Sequence, residues 1–267
     1  MSPVVHKGKS THAARPEDPT SQGDAFVSPS FAPAGAASFE VKFLLAAAKA
    51  AAVEAWARGN LGLDSHGDPA LAGGYEVSTL YLDTPRFDVF HRAKELEGAK
   101  FRLRRYGSAG LVYLERKRRR GDRVQKRRSE VEEGDLKRLA SARAGTAWPG
   151  DWFQDEIEAR GFRPVCRLTY LRVAFFGASD HGHFRLTLDR AVRCGPADGW
   201  RVGRVEDAGA RPVVGGLVVC ELKFRDAMPQ PFKVLVAGLG LASRSVSKYR
   251  RACLAAGLVD GRTARDA

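Results

Sequence analysis

Six short segments of this sequence place chemically active side chains two residues apart, in stretches rich in β-forming residues. They are Glu40-Val41-Lys42, Arg102-Leu103-Arg104, Glu115-Arg116-Lys117, Lys126-Arg127-Arg128, Tyr170-Leu171-Arg172 and Glu221-Leu222-Lys223. A strand sends residues i and i+2 to one face, so each segment sets two such groups side by side. Arginine forks grip phosphate oxygens in pairs, and lysine acts as a point charge. A carboxylate among phosphate-binding cations repels the ligand unless it holds a hard divalent ion. Mg²⁺ and Mn²⁺ take one or two carboxylates plus phosphate oxygens. The chemistry these residues suit is binding of a polyanion together with a divalent metal.

Charges two apart on a strand ordinarily mark a solvated face. Here both signs share one parity in several segments, and apolar residues lie between and beside them. The more economical geometry is a barrel with a charged lumen and an outer wall packed against helices. Like charges facing one another in low dielectric are costly, so such a lumen needs an anionic ligand or water to fill it. Candidate lumen cations are Lys42, Arg102, Arg104, Lys117, Lys126, Arg172, Arg185 and Lys248. Arg118, Arg119, Arg120, Arg123 and Arg127, around a hairpin tip, are expected to face solvent.

The elements that must carry these groups follow from pattern. Strands are expected over Glu40–Leu45, Tyr75–Asp83, Lys100–Tyr106, Gly110–Arg118, Val124–Val131, Phe162–Phe176, Phe184–Val192 and Leu217–Phe224. Helices are expected over Ala46–Arg58, after a turn begun by Thr84-Pro85 as a short helix through Ala93, and over Glu133–Ala142, Trp152–Arg160, Phe232–Gly240 and Ser245–Ala256. The fold class is α+β: an eight-stranded antiparallel β-barrel, closed or nearly closed, with inserted and appended helices. Closure removes edges that long basic strands would leave exposed.

Among the 267 residues, Lys and Arg number 44 against 31 Asp and Glu, a net charge of +13 with a pI near 9.9. That balance favours anionic partners, whether nucleic acid, phosphate compounds or a membrane surface. The basic strands carry few aromatic residues for base stacking, which argues against a nucleic-acid reader. Cys166, Cys194, Cys220 and Cys253 form no CxxC pair, so neither a thiolate metal site nor a disulfide framework is indicated. A reducing cytoplasm is the simplest setting. His181 and His183 read as part of a polar turn, and Cys220 as a packed core thiol. No segment is long and apolar enough to span a membrane. Residues 1–37, rich in Pro, Ser, Ala and Gly, read as a disordered tail, and 259–267 as a flexible one. Nothing in the pattern sets an oligomeric state.

The chain resembles the polyphosphate polymerase (VTC) domain of vacuolar transporter chaperone proteins, within the triphosphate tunnel metalloenzyme, or CYTH-like, superfamily. The resemblance runs from about Phe39 to Leu254. It rests on Phe39-Glu40-Val41-Lys42-Phe43, on Thr79 to Thr84, and on Leu96 to Gly107. It continues through Tyr113 to Lys117, Tyr170 to Arg172, Leu186 to Asp189, Cys220 to Lys223 and Ser247 to Tyr249. It implies an eight-stranded tunnel over residues 38–258 that binds a triphosphate. Lys42, Arg102, Arg104, Lys117, Lys126, Arg172, Arg185 and Lys248 would serve in catalysis. Tyr170, Lys223, Glu40 and Glu115 would contact substrate, and Glu221 would hold Mn²⁺ or Mg²⁺. The hydrolase branch begins with ExExK; here Ser38 stands at the first position. One fewer carboxylate accords with the polymerase branch, where that pattern is also degraded.

The leading expectation is therefore a metal-dependent phosphotransferase that makes inorganic polyphosphate from ATP or another triphosphate. One alternative is hydrolysis of tripolyphosphate or a nucleoside triphosphate in the same tunnel. Another is a non-catalytic module that binds polyphosphate or nucleic acid.

Overall fold

The computed structural model describes residues 38–120, 123–141, 145–180, 182–206 and 209–260. The expected N-terminal tail, His181 and nearly all of the expected C-terminal tail lie outside the described residues.

In chain order the elements are β1 (Ser38–Leu45), α1 (Ala47–Asn60), β2 (Gly62–Leu63), β3 (Gly74–Asp83), β4 (Ala99–Tyr106), β5 (Leu111–Arg120) and β6 (Arg123–Glu132). They continue with α2 (Asp151–Arg160), β7 (Arg163–Ser179), β8 (Gly182–Pro196), β9 (Arg211–Pro212), β10 (Val218–Arg225), α3 (Gln230–Gly238) and α4 (Lys248–Ala255). Short 3-10 turns occupy Pro69–Leu71 and Glu133–Ala140, the second where an α-helix was expected.

The long strands lie in one antiparallel sheet, ordered β1-β10-β8-β7-β3-β4-β5-β6, with β2 added beside β7 and β9 beside β8. The expected α+β antiparallel architecture is borne out, with eight strands along the main path; full closure and the total strand count are corrected by this order. The sheet has ten strands, and its end strands β1 and β6 are not paired with each other. β6 supplies a reason: it carries Lys126 and Arg128 on one face and Arg127 on the other. Charge on both faces of an edge strand opposes further pairing. The sheet still curls far enough for β5 to reach β1 through side chains, with Lys117 Nζ 2.6 Å from Glu40 Oε1.

Two apolar clusters hold the curl from outside. Phe43 of β1, Leu186 of β8 and Leu222 of β10 pack with Val53 of α1 and Phe232 and Leu235 of α3. Leu80, Leu103 and Leu114 pack with Phe153 and Ile157 of α2 in the other. Each fully buried Leu or Phe contributes about 1.5–3 kcal/mol. The Ala-rich helix α1 buries Ala50, Val53 and Ala57, a helical spacing that needs only small side chains to approach the sheet closely. Gly98 leads into β4 with φ of 68°, and a Cβ there would lie 2.3 Å from the Arg119 carbonyl oxygen. Only glycine lets β4 start so close to the end of β5.

Two further expected helices differ. The segment after Thr84 forms turns, because the buried Asp83 carboxylate accepts the backbone N–H groups of Thr84, Val89 and Phe90 at 2.7–2.9 Å. The same carboxylate accepts the Tyr249 hydroxyl. The last helix begins at Lys248 rather than Ser245, with Ser247 as its N-cap accepting the Arg250 N–H. The hairpin β7–β8 runs further at its free end than expected, to Ser179 and from Gly182.

Candidate active site: the charged lumen

Parity places the six segments as required. On β10, Cys220, Leu222 and Phe224 face the helices and are buried, while Glu221 and Lys223 take the other face. On β5 the outward Arg116 pairs with Glu156 of α2, and Glu115 and Lys117 turn inward. Arg127 of β6 also faces outward, its guanidinium 4.4 Å from the Trp152 ring centroid. Arg118, expected in solvent, is half-buried and donates to the Glu95 carbonyl. The inward face of β3 orients the tunnel. Tyr81 and Asp83 meet Tyr249 of α4, so α4 lies across one end. Tyr75, at the other end, meets Asp64 and Tyr106.

Three carboxylate-centred clusters organise the interior. In the first, Lys42 Nζ lies 3.5 Å from Glu40 Oε2 and 3.6 Å from Glu221 Oε2. Glu221 raises the Lys42 pKa above the ordinary lysine value, against burial, and Glu40 adds to it. Burial and the facing Glu221 push the Glu40 carboxyl up, but Lys117 and Lys42 bring it below its ordinary value. Glu221 is held well below the usual range: burial opposes this, and Lys42, Lys248, Lys117 and Arg172 outweigh it. Lys223 pairs in register with Glu40 on one side and Arg185 on the other, and burial lowers its pKa.

In the second cluster Glu115 is fully buried and takes Arg102 Nε at 2.7 Å, Lys126 Nζ at 2.9 Å and Arg128 Nε at 3.0 Å. Burial would raise its carboxyl, yet Arg102, Lys126, Arg104 and Arg128 keep it well below the usual range. Glu115 is thus the shared counter-ion of three candidate phosphate-binding cations. Arg104 Nε donates to Thr79 Oγ1 at 3.2 Å. Arg128 donates to the Tyr106 hydroxyl at 3.2 Å and lies 3.9 Å from the Tyr113 ring centroid.

The third cluster centres on Asp189. Arg172 grips it with both Nε (2.7 Å) and Nη2 (2.9 Å), and Lys248 Nζ lies 2.6 Å away. Burial opposes ionisation, but Arg172 and Lys248 bring the Asp189 pKa down to about 2. The Tyr170 ring receives both cations, Arg172 Cζ and Lys248 Nζ each 5.3 Å from its centroid. Towards the other end, Arg185 donates to the Tyr75 hydroxyl at 2.8 Å and reaches Asp64 at 3.5 Å.

The structure thus brings every sequence-derived candidate to one interior. It adds Lys100, Arg128, Asp64 and Asp189. Lys100 sits two residues before Arg102 and beside the Ser247 hydroxyl, 3.4 Å away. Burial and the nearby Lys42, Lys117 and Arg102 pull its pKa well below the ordinary lysine value. Strand parity was enough to find Lys100, and Arg128 lay in a segment already singled out. Asp64 comes from a loop, where no period marks it. Several cations share each carboxylate, so the lumen is left with excess positive charge. Among the described residues no group of three or more His, Cys, Asp or Glu side chains is arranged to hold a metal by itself. Nor is any described helix long and apolar enough to cross a membrane.

No curated protein matches the chain. Among solved structures, a proposed adenylate cyclase from Bacillus halodurans aligns with TM-score 0.48 and 11% identity, over 80% of this chain and 96% of its own. A Hippeastrum protein, HpAC1, proposed as an adenylyl cyclase with a dominant triphosphatase activity, aligns with TM-score 0.44 and 15% identity, over 79% and 94%. The PH1012 protein of Pyrococcus horikoshii OT3 aligns with TM-score 0.40 and 15% identity, over 77% and 91%. At such scores these likenesses carry no weight for function. The family model of the VTC domain, by contrast, matches residues 37–256, which takes in the whole sheet and α4. The chain belongs to the VTC domain family.

Proposed function

We propose that this tunnel transfers the terminal phosphoryl group of ATP to the end of a polyphosphate chain, with Mn²⁺ or Mg²⁺ as cofactor. The observation that supports this reading is the pairing of Glu40 and Glu221 around one ammonium, inside a lumen where cations outnumber carboxylates. The two carboxylates repel each other, and Lys42 bridges them. One or two carboxylates completed by phosphate oxygens is the donor set a hard divalent ion takes, so Glu40 and Glu221 are the residues suited to hold it. Bound there, the ion would polarise phosphoryl oxygens as a Lewis acid.

Phosphoryl transfer asks little covalent chemistry of a protein; positioning and charge stabilisation carry it. Arg102, Arg104, Arg172 and Arg185 offer forks for non-bridging oxygens. Asp189 fixes the aim of Arg172 and Lys248, and Glu115 fixes that of Arg102. Lys248, the first residue of α4, adds charge at the end that α4 covers.

The test is incubation with ATP and Mn²⁺, followed by detection of polyphosphate, for the wild type and Glu221→Gln. Polyphosphate made by the wild type and lost in the variant supports the reading. Orthophosphate and ADP alone would make the protein a triphosphatase. Binding without turnover, unchanged by the substitution, would make it a binding module.

A further inference from the structure

One hydroxyl inside the lumen has no role in the ion-pair network. Thr187 Oγ1 is buried and makes no hydrogen bond within the chain, and the residue is 4% exposed. Leaving a buried hydroxyl unpaired is destabilising, and valine would fill the same space without that cost. A threonine here calls for a partner supplied from outside the chain.

The register shows where that partner would lie. On the inward face of the β7–β8 ladder, Arg172 pairs with Asp189, Ala174 with Thr187, and Phe176 with Arg185. The middle rung is the only one of these three without a long side chain. It lies between two arginines, about two residues, or ~7 Å, along the strand from each. On the other side Thr187 pairs in register with Glu221 of β10. This rung therefore carries only a methyl group and a hydroxyl, is flanked by Arg172 and Arg185, and adjoins the carboxylate suited to a metal.

We infer that Thr187 is a positioning residue whose hydroxyl donates to a non-bridging oxygen of the phosphoryl group seated between Arg172 and Arg185. This inference rests on the triphosphate-binding reading above. In the ligand-free chain Arg185 turns to Tyr75 and Arg172 to Asp189. A phosphate between them would face both forks and the Thr187 hydroxyl together. Threonine suits the place because it donates without adding charge beside Glu221, and its β-branch keeps it rigid in the strand.

Tripolyphosphate is titrated calorimetrically into the wild type, Thr187→Val and Thr187→Ser, and thermal unfolding of each is measured without ligand. The expected result is binding about tenfold weaker or more in Thr187→Val, the loss of one hydrogen bond to a charged group. Thr187→Ser should stay within about threefold of the wild type, which is well under that loss. Thr187→Val should unfold no lower than the wild type, since no intrachain bond is lost. Wild-type affinity in Thr187→Val, or equally weak binding in both variants, overturns the role of Thr187 alone. So does a lowered melting temperature in Thr187→Val. A wild type that binds neither tripolyphosphate nor ATP overturns the tunnel reading itself, and the inference falls with it.

Discussion

Lys117 and Glu40 meet at 2.6 Å across the seam where the sheet does not close. Their strands, β5 and β1, stand far apart in the sheet order, so this pair measures how tightly the open sheet curls. Both side chains are largely buried. Lys117→Met removes from Glu40 the closest of its cations and leaves it facing Glu221 with less charge between them. The expected loss is about 1–3 kcal/mol, between the limits for exposed and buried pairs. The double variant with Glu40→Gln should lose less than the sum of the singles, with a coupling of about 1 kcal/mol. Urea titrations of the four proteins supply the cycle. Strict additivity would mean that something other than this pair holds the seam.

Glu115 poses the same question where water is excluded. It is the shared counter-ion of Arg102, Lys126 and Arg128. Glu115→Gln keeps the volume but leaves those cations facing one another. Removing one partner of a buried network of this kind costs about 3–5 kcal/mol. Tripolyphosphate should restore part of the loss, because it supplies the missing negative charge. A larger ligand-induced rise in melting temperature in Glu115→Gln than in wild type is therefore expected. An unchanged or smaller rise would mean that these cations do not face the ligand.

Asp189 gives a dependence on pH. Its carboxyl titrates at about 2 in the folded chain because Arg172 and Lys248 outweigh burial. The unfolded value is about 3.9. A lowered acid pKa contributes stability that is fully present above the unfolded value and is lost as pH falls through the folded one. The window is therefore about pH 4 down to about 2. Asp189→Asn should be less stable than wild type at pH 6, and the gap should narrow through that window. Denaturant melts at several acid pH values would show it. A constant gap would place the cost in packing and not in charge.

How much of this was legible beforehand depended on period. Glu40 and Lys42, Arg102 and Arg104, and Glu221 and Lys223 were visible because strands repeat every two residues, and the register then set Glu221 opposite Lys42. The open seam was not visible. Pairing between β1 and β6 depends on twist and on charge at a far edge, and no local pattern encodes it. The turn after Thr84 was misread as a helix, since what organises it is one buried carboxylate, Asp83, contacting residues six and seven positions on. Asp189 lay in a segment noted for its resemblance, yet its partner Lys248 is on another element. Asp64, in a loop, became meaningful only when the fold set it against Arg185.

Tyr106 offers a spectroscopic view of the lumen charge. Burial works to raise its phenol, but Arg104 overrides this, aided by Arg128 and Lys126 against Glu115, and brings it down to about 8. Burial sends Tyr75 and Tyr249 upward and Tyr113 up to about 12, so those rings will not titrate with it. The tyrosinate absorbance near 295 nm should therefore show a step with a midpoint near pH 8 in wild type and lose it in Tyr106→Phe. Because the folded pKa is the lower one, this group adds stability as pH rises from about 8 towards its unfolded value near 10. Saturating tripolyphosphate should move the step to higher pH, since an anion on Arg104 and Arg128 removes the field that favours phenolate. A step that stays in place when tripolyphosphate binds would put the ligand away from the arginine pair. Absence of any step near pH 8 would mean that Glu115 cancels more of the lumen charge than the geometry implies.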